Sequence, residues 1–474
     1  MSQSHHPIDL VVVFLISFAL LITSAIQGIF IAYPLLIALT LFIAVLLNRG
    51  FSFKALLKMG IAGARQSFPV VQVLLLIGMV TAIWMAAGTV PALVYYGTGL
   101  MSGKFFLLWA FLLTSAVSIL TGTAFGAVGT IGIALMVIAR GSSVAVEPVA
   151  GAIIAGAFLG DRCSPMSSSA HLVASITHTD LYTNLRNMVN SSRWPLGISV
   201  IFYAVLSLLH PVELASAPIT ADLPNEFNLS LTVLLPAAAV LLLAVLRVDV
   251  KLAMLVSIGL GGAIAHTLQG DSFLSLLRFA LFGYQLDHET PLQTILIGGG
   301  LLPMAKATLV VLISTAFAGI FSSSRMLSFL DVWLQRIHSP QQRSQATLVV
   351  STFANGFGCS QTIAILLTAQ IMQPHYSSAQ YSAHYSENAA ASGSQSATTQ
   401  TNCQNQQLAL ALEDTAVVIA PLIPWNIASL IPATILTVGP GFIPYAIYLL
   451  LLPLFAALRS PHSSLPPSGT PALQ

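Results

Sequence analysis

The sequence predicts an all-α polytopic membrane protein, and three observations carry that class. Of the 474 residues, 56% are hydrophobic and only 7% are charged, against about a quarter charged in ordinary soluble domains. Mean hydropathy is +0.87. The apolar residues also gather into runs long enough to cross a bilayer, about 20 residues each. These runs fall near 10–27, 30–48, 69–88, 104–120, 122–140, 148–172, 194–210, 229–247, 251–268, 293–322, 345–372, 408–436 and 441–458. They give roughly 11–13 transmembrane segments, several interrupted by Gly, Pro or polar clusters and so read as discontinuous helices.

Composition also excludes. A formal net charge of +2 without a basic run argues for no nucleic-acid partner, and the partner implied instead is the lipid bilayer. Cys163, Cys359 and Cys403 are too few and too scattered for a disulfide framework or a metal site. No metal-spaced His or Cys set and no assignable nucleophile–base pair points to an enzyme or a cofactor.

In chain order, residues 1–48 form an N-terminal helix pair. The opening "MSQSHHPIDL" lacks a basic n-region, so the first run reads as a retained helix. Loop 49–65 carries Arg49, Lys54, Lys58 and Arg65 without an acid, which places it, and with it the N-terminus, in the cytoplasm. Residues 49–210 read as a first transport repeat, 211–292 as connecting helices and 293–458 as a second repeat. Basic loops at 178–193 (Arg186, Arg193) and 325–343 (Arg325, Arg336, Arg343) are expected on the cytoplasmic side. Loop 211–228, with Glu213, Asp222 and Glu226, is expected outside. Residues 376–407, rich in Ser, Gln, Ala and Asn, read as a flexible loop, and 459–474 as a disordered tail.

The two repeats rest on a shared frame. "TAFGAVGTIGIAL" (123–135) and "NGFGCSQTIAILL" (355–367) both read F-G-x-x-x-T-I-x-I, with helix breaks expected at Gly126 and Gly358. The basic loops make the two units cross in opposite senses, which is the inverted-repeat plan of secondary transporters, with the binding site near the midplane.

Two stretches put carboxylates into such breaks. In "GAFLGDRCSPMSSSAHLVASITHTDLYTNL" (156–185), Asp161 follows a small-residue run, Pro165 forces a break, and Ser164, Ser167, Ser168 and Ser169 supply neutral oxygens. One carboxylate, hydroxyls and freed carbonyls suit a hard monovalent cation such as Na⁺. A carboxylate there is also a place where sodium and proton compete. In "LEDTAVVIAPLIPWN" (412–426), Glu413 and Asp414 precede Thr415, the helix-breaking Pro421 and Pro424, then Trp425 and Asn426. Acids at membrane depth cost several kcal/mol and are functional candidates by default. Plainer readings stand beside these. Glu413 and Asp414 would also suit the first turn of a helix at the interface, Asp161 and Arg162 a surface loop pair, His171 a satisfied polar residue, and Lys306 a snorkelling side chain.

These residues resemble the NhaC-type sodium/proton antiporter family, a bacterial inner-membrane group related to malate/lactate antiporters. The resemblance covers most of the chain. It rests on "IWMAAGTVPALVYYG" (83–97), "TGTAFGAVGTIGIALM" (121–136), the 156–185 stretch, "GGGLLPM" (298–304) and "LEDTAVVIAPLIPWN". It implies exchange of Na⁺ for H⁺ without a cofactor, a multi-pass protein of the bacterial inner membrane, and alternating access. Asp161 and Asp414 are then the ion and proton carriers. Ser164, Ser168, Ser360, Gln361, Thr415 and Asn426 serve as neutral ligands, and Glu413, His171 and Lys306 as proton or gating groups. The chain departs from the family pattern at Ser168 and Ser360, where carboxylates are expected, and at Lys306, where the segment is usually uncharged. Those departures motivate an alternative cargo, a small organic acid or amino acid driven by Na⁺ or H⁺. A homodimer is left open.

Overall fold

A computed structural model describes residues 8–100, 103–140, 142, 144–209, 211, 223–246, 248–285, 298–324, 334, 337, 339–376 and 397–458. Every regular element among them is helical, with one isolated bridge between Tyr284 and Gly298. The chain is an all-α, multi-pass membrane protein. Among the described residues, four helices are long and apolar enough to span a bilayer: Phe68–Ala86, Leu181–Leu209, Lys251–Gln269 and Met304–Ser323. A fifth candidate is broken, Thr401–Leu422 followed by Ile427–Ile435 at 49°. Shorter apolar helices such as Ala32–Asn48 and Ile447–Leu458 accompany them. Leu15, Ile201 and Leu231 are among many large apolar side chains left on the surface, as lipid contact requires.

With few charges to spend, several helix starts are set by hydroxyls and amides. Ser52 accepts from the Ala55 N–H at the start of α3 (Phe53–Gln66), after α1 (Ile8–Ile26) and α2 (Ala32–Asn48). Helices α4 (Phe68–Ala86) and α5 (Thr89–Leu100) follow, then α6 (Phe106–Thr121). Gly122, at a φ of 68°, ends α6 in the left-handed region that glycine enters freely. A second helical run then starts: α7 (Ala124–Ala127), a wide π turn (Val128–Gly132) and α8 (Ile133–Arg140).

Helix α9 (Val146–Cys163) fixes the sense of these pieces. Gly156 faces Phe111 and Ser115, and Gly160 faces Ser118 and Ile119, so α6 lies alongside α9 in the same direction. Gly132 faces Ile153, and the Ala124 N–H reaches Asp161, so α7 and α8 run the opposite way. Runs 104–120 and 122–140 are therefore the arms of one hairpin. Its tip, Gly122, is buried against Met166 in the break after α9. The small-residue run before Asp161 permits close approach here, and the Ser118 hydroxyl donates to the Ala157 carbonyl at 2.5 Å.

Beyond the break come α10 (Ser168–Thr177) and α11 (Leu181–Leu209). The sequence expectation of a loop over 178–193 holds only to Asp180. The Asp180 carboxylate accepts from the Thr183 N–H and caps a 29-residue helix, which carries Arg186 and Arg193 on its exposed face. Charge alone made this segment look like a loop.

The connecting helices α12 (Leu235–Val245), α13 (Val250–Ile264) and α14 (Phe273–Phe282) lead to α15 (Met304–Ser323). A second hairpin follows, α16 (Pro340–Gly358) and α17 (Gln361–Tyr376). Ser339 and Gln342 cap its start reciprocally, and Cys359, at a φ of 49°, turns the tip. Arg343 near the start of α16 donates to the His375 carbonyl, so its open end is closed by contacts between the arms. The tip is backed by Phe14, Phe42, Phe317, Phe321 and Phe357, with the Phe14 and Phe357 rings edge to face at 4.3 Å.

Helix α18 (Ala397–Asp414) takes in residues 397–407, the end of the expected flexible loop; residues 377–396 and 459–474 lie outside the described residues. Polar composition misled there, since Gln404 is buried and Asn405, Gln406 and Gln407 are half-buried. A short α19 (Ala416–Ile419), a 3₁₀ turn, α20 (Ile427–Ile435) and α21 (Ile447–Leu458) complete the chain.

From Thr415, bonded to Ser351, the chain advances to Ile427, whose N–H donates to Cys359 at the second tip. It then passes along α20 to Leu436, whose carbonyl accepts from Arg140 at the open end of the first hairpin. The two hairpins thus enter from opposite ends of the molecule.

Candidate functional site

Charge is rare in this interior. Among the described residues, the buried charged side chains are Asp161, Arg162, Arg343, Glu413 and Asp414. Arg343 closes the second hairpin. The other four meet, three acids and one base, where the end of α9 faces the end of α18.

Asp161 and Glu413–Asp414 all lie in the last turn of a helix, where the dipole disfavours negative charge. The plainer reading of Glu413 and Asp414 as first-turn residues is therefore overturned: they end α18 and are buried. Nor are Asp161 and Arg162 a surface pair, with exposures of 7% and 0%.

Each acid is handled differently. Asp161 is held by the breaks around it. Ser167 Oγ and Ser169 Oγ each lie 3.3 Å from one of its carboxylate oxygens, and the Ala124 N–H donates from the start of the helical run that follows Gly122. The positive end of that run offsets the unfavourable end of α9. Asp414 is neutralised: its Oδ1 is ion-paired with Arg162 Nη2 and accepts from Ser191 Oγ at 2.9 Å. Glu413 has neither aid. It is fully buried, and neither carboxylate oxygen has a hydrogen-bond partner. Asp161, Asp414 and Arg162 all act on it electrostatically.

Arg162 is the organising residue, and sequence reasoning passed over it. Its guanidinium reaches the Glu413 carbonyl at 3.1 Å, Ser192 Oγ at 2.6 Å, Ser191 Oγ at 2.7 Å, the Met188 carbonyl at 3.3 Å and Tyr448 OH at 3.2 Å. These contacts tie α9 to α11, α18 and α21. One signal was available: an arginine inside an otherwise apolar run needs a buried counter-charge. Ser191, Ser192 and Tyr448 gave no comparable sign.

The other expected residues divide. Ser164 is buried but links the break to α6, donating to Ile119 O at 2.7 Å. Ser168 is exposed, while its neighbours Ser167 and Ser169 face the acid. Thr415 is buried at the break between α18 and α19, bonded to Ala411 O and to Ser351 Oγ. Asn426 caps α20 and donates to Asn355 O at 3.0 Å. Gln361 is half-buried and donates to Val417 O at 3.0 Å, and Ser360 is half-buried beside the Cys359 turn. Ser360, Gln361 and Asn426 thus gather around the second tip, with Thr415 about two turns back along α16 beside Ser351.

Pro165 lies in the first break, Pro421 in the 3₁₀ turn Ala420–Leu422 and Pro424 in the turn before α20. Gly358 is the last residue of α16, against the break. Gly126 lies within α7, past the actual break at Gly122, so the matched frames occupy different local structures. His171 is exposed with its Nε2 3.1 Å from Pro165 O, and Lys306 is exposed in the first turn of α15.

The cluster also sits toward one end of α11. Ser191 lies closer to its start than to its finish, and Arg193 and exposed Trp194 mark the outer face at that level, a pairing typical of a membrane boundary.

Comparison with known proteins agrees in kind. The profile of the Na⁺/H⁺ antiporter family matches residues 156–458, more than half of the chain. The malate-2H⁺/Na⁺-lactate antiporter of Bacillus subtilis is 29% identical over 73% of this chain and 76% of its own. The Na⁺/H⁺ antiporter NhaC of Alkalihalophilus pseudofirmus is 27% identical over 81% of this chain and 80% of its own. The Na⁺/H⁺ antiporter NhaC of Bacillus subtilis is 26% identical over 90% of this chain and 91% of its own.

Proposed function

This chain belongs to the Na⁺/H⁺ antiporter family, and we propose that it exchanges Na⁺, or a related monovalent cation, for H⁺ across the bacterial inner membrane by alternating access. The N-terminus is assigned to the cytoplasm by the basic segments. The observation that carries the reading is the imbalance of the buried cluster, with Asp161, Glu413 and Asp414 set against Arg162 alone. An unpaired charge in low dielectric is strongly disfavoured. Arg162 accounts for Asp414, so Asp161 and Glu413 each need a cation or a proton. A site that must hold positive charge, and can take it as either ion, is the minimum for exchange.

The two acids suit different guests. Asp161 has hydroxyls from Ser167 and Ser169 beside it, an all-oxygen set fit for Na⁺. Glu413 has no neutral oxygen bonded to it and suits a proton, which needs no shell. Asp414, expected from sequence as a carrier, we assign to holding Arg162. The organic-acid reading drew on Ser168, Ser360 and Lys306. Ser168 and Lys306 are exposed, and Arg162 is committed to Asp414, so the cluster offers an organic anion no spare cation.

The test is a proteoliposome assay with an internal pH dye and no organic solute. A Na⁺ gradient is expected to drive proton flux in the native protein, and Asp161→Asn or Glu413→Gln to abolish it. Full exchange in either variant would overturn the assignment of that residue.

A further inference from the structure

The buried stripe of α11 changes chemistry along its length. From Pro195 to Ser207 it packs through Pro195, Ser199 and Tyr203, and the Ser199 hydroxyl is turned back onto the Pro195 carbonyl. Toward the α10–α11 turn the same stripe is Asn184, Asn187, Met188, Ser191 and Ser192, four polar side chains with one apolar side chain among them. Spacings of three and four residues keep these side chains on one helix face. Ser191 and Ser192 end on Arg162, beside Glu413.

At the other end, Asn184 donates to Thr179 Oγ1 at 2.7 Å, in the turn whose His178 and Asp180 are exposed. From Asn184 to Ser191 the helix rises about 10 Å at 1.5 Å per residue. Two amides on this stretch are inconsistent with a dry interface. Asn184 is 3% exposed and Asn187 5% exposed. Yet Asn184 Oδ1 and Asn187 Nδ2 have no hydrogen-bond partner. A buried amide group left unbonded costs on the order of 1–3 kcal/mol, and water is the usual partner in such polar sites.

We propose that Asn184 and Asn187 line a narrow hydrated path from the α10–α11 turn to Glu413, through which its proton passes to or from one face of the membrane, the opposite face being reached in the other state of the access cycle. In the other half of α11 the buried hydroxyls of Ser199, Tyr203 and Ser207 are bonded within the protein, so this path serves one face of the membrane. The inference rests on Glu413 as a proton carrier, but its existence is tested without measuring exchange.

In a chain with Cys163, Cys359 and Cys403 replaced by Ser, Asn187→Cys is labelled with a membrane-impermeant, positively charged methanethiosulfonate. Asp180→Cys reports which face carries the turn. Reaction of Asn187→Cys from that face alone, unchanged when Glu413→Gln is added, is the expected result. No reaction from either face, while Asp180→Cys reacts, overturns the path even if Glu413 proves to carry protons. A second readout is transport by Asn187→Leu against Asn187→Ser. Loss of the water-bonding amide is expected to slow exchange roughly tenfold in the Leu variant and to leave the Ser variant near native. Native rates in a folded Asn187→Leu protein also overturn it.

Discussion

Arg162 grips Asp414 by its side chain, whereas from the adjacent Glu413 it takes only a backbone oxygen. Two neighbouring acids on one helix end are thereby held differently, one ion-paired and one buried without a hydrogen-bond partner.

Breaking the pair from either side is expected to cost more than removing it whole. Arg162→Met leaves Asp414 buried without its counter-charge, a loss of about 3–5 kcal/mol. Arg162→Met combined with Asp414→Leu is expected to recover much of that. Thermal unfolding in detergent, arranged as a double-mutant cycle, measures the coupling; additive effects would show that the pair holds nothing together.

Glu413→Gln is expected to separate folding from function. It removes a buried charge that no hydrogen bond supports, so the melting temperature should hold or rise while exchange is lost. Unfolding together with loss of exchange would mean that Glu413 is a structural residue.

The serines around Asp161 give a sharp contrast. Ser167→Ala and Ser169→Ala each remove a hydroxyl facing the carboxylate, an interaction worth about 1.5–3 kcal/mol with a charged partner. Each is expected to raise the Na⁺ concentration for half-maximal exchange about tenfold or more. Ser168→Ala, at an exposed position, is expected to leave it unchanged. Titration of Na⁺ against proton flux decides among the three.

Gly160→Val puts a branched side chain against Ser118 and the Ile119 N–H. Overpacking of this kind costs about 1–3 kcal/mol. Because the contact seats the first hairpin on α9, yield of folded protein and melting temperature should both fall. Lys306→Gln, on the exposed first turn of α15, is expected to stay within about 0.5 kcal/mol of native.

What the sequence disclosed follows from what is expensive in a membrane. Asp161, Glu413 and Asp414 stood out because a carboxylate in an apolar run needs a reason, and Pro165 and Pro424 stood out because proline cannot continue a helix. The choice among serines was hidden. Ser167 becomes the cap of α10, accepting from the Ser169 and Ala170 N–H groups, and that geometry turns Ser168 outward. Arg162 looked like half of a local pair with Asp161, because adjacency in sequence is visible and the approach of α18, some 250 residues later, is not. The starts of α11 and α18 were read as loops from their polarity, although polar helices that bury one face are stable once packed.

A guanidinium does not shed its proton in any working range of pH, so the positive charge of Arg162 is a constant of the machine. On the assignment proposed above, Asp161 and Glu413 make up the variable capacity of this cluster, which caps its load at two monovalent guests. If the two acids fill and empty with equal charge in each direction, turnover is blind to the membrane potential. If they do not, the potential becomes part of the driving force, and a voltage clamp on the vesicles would read the difference as current.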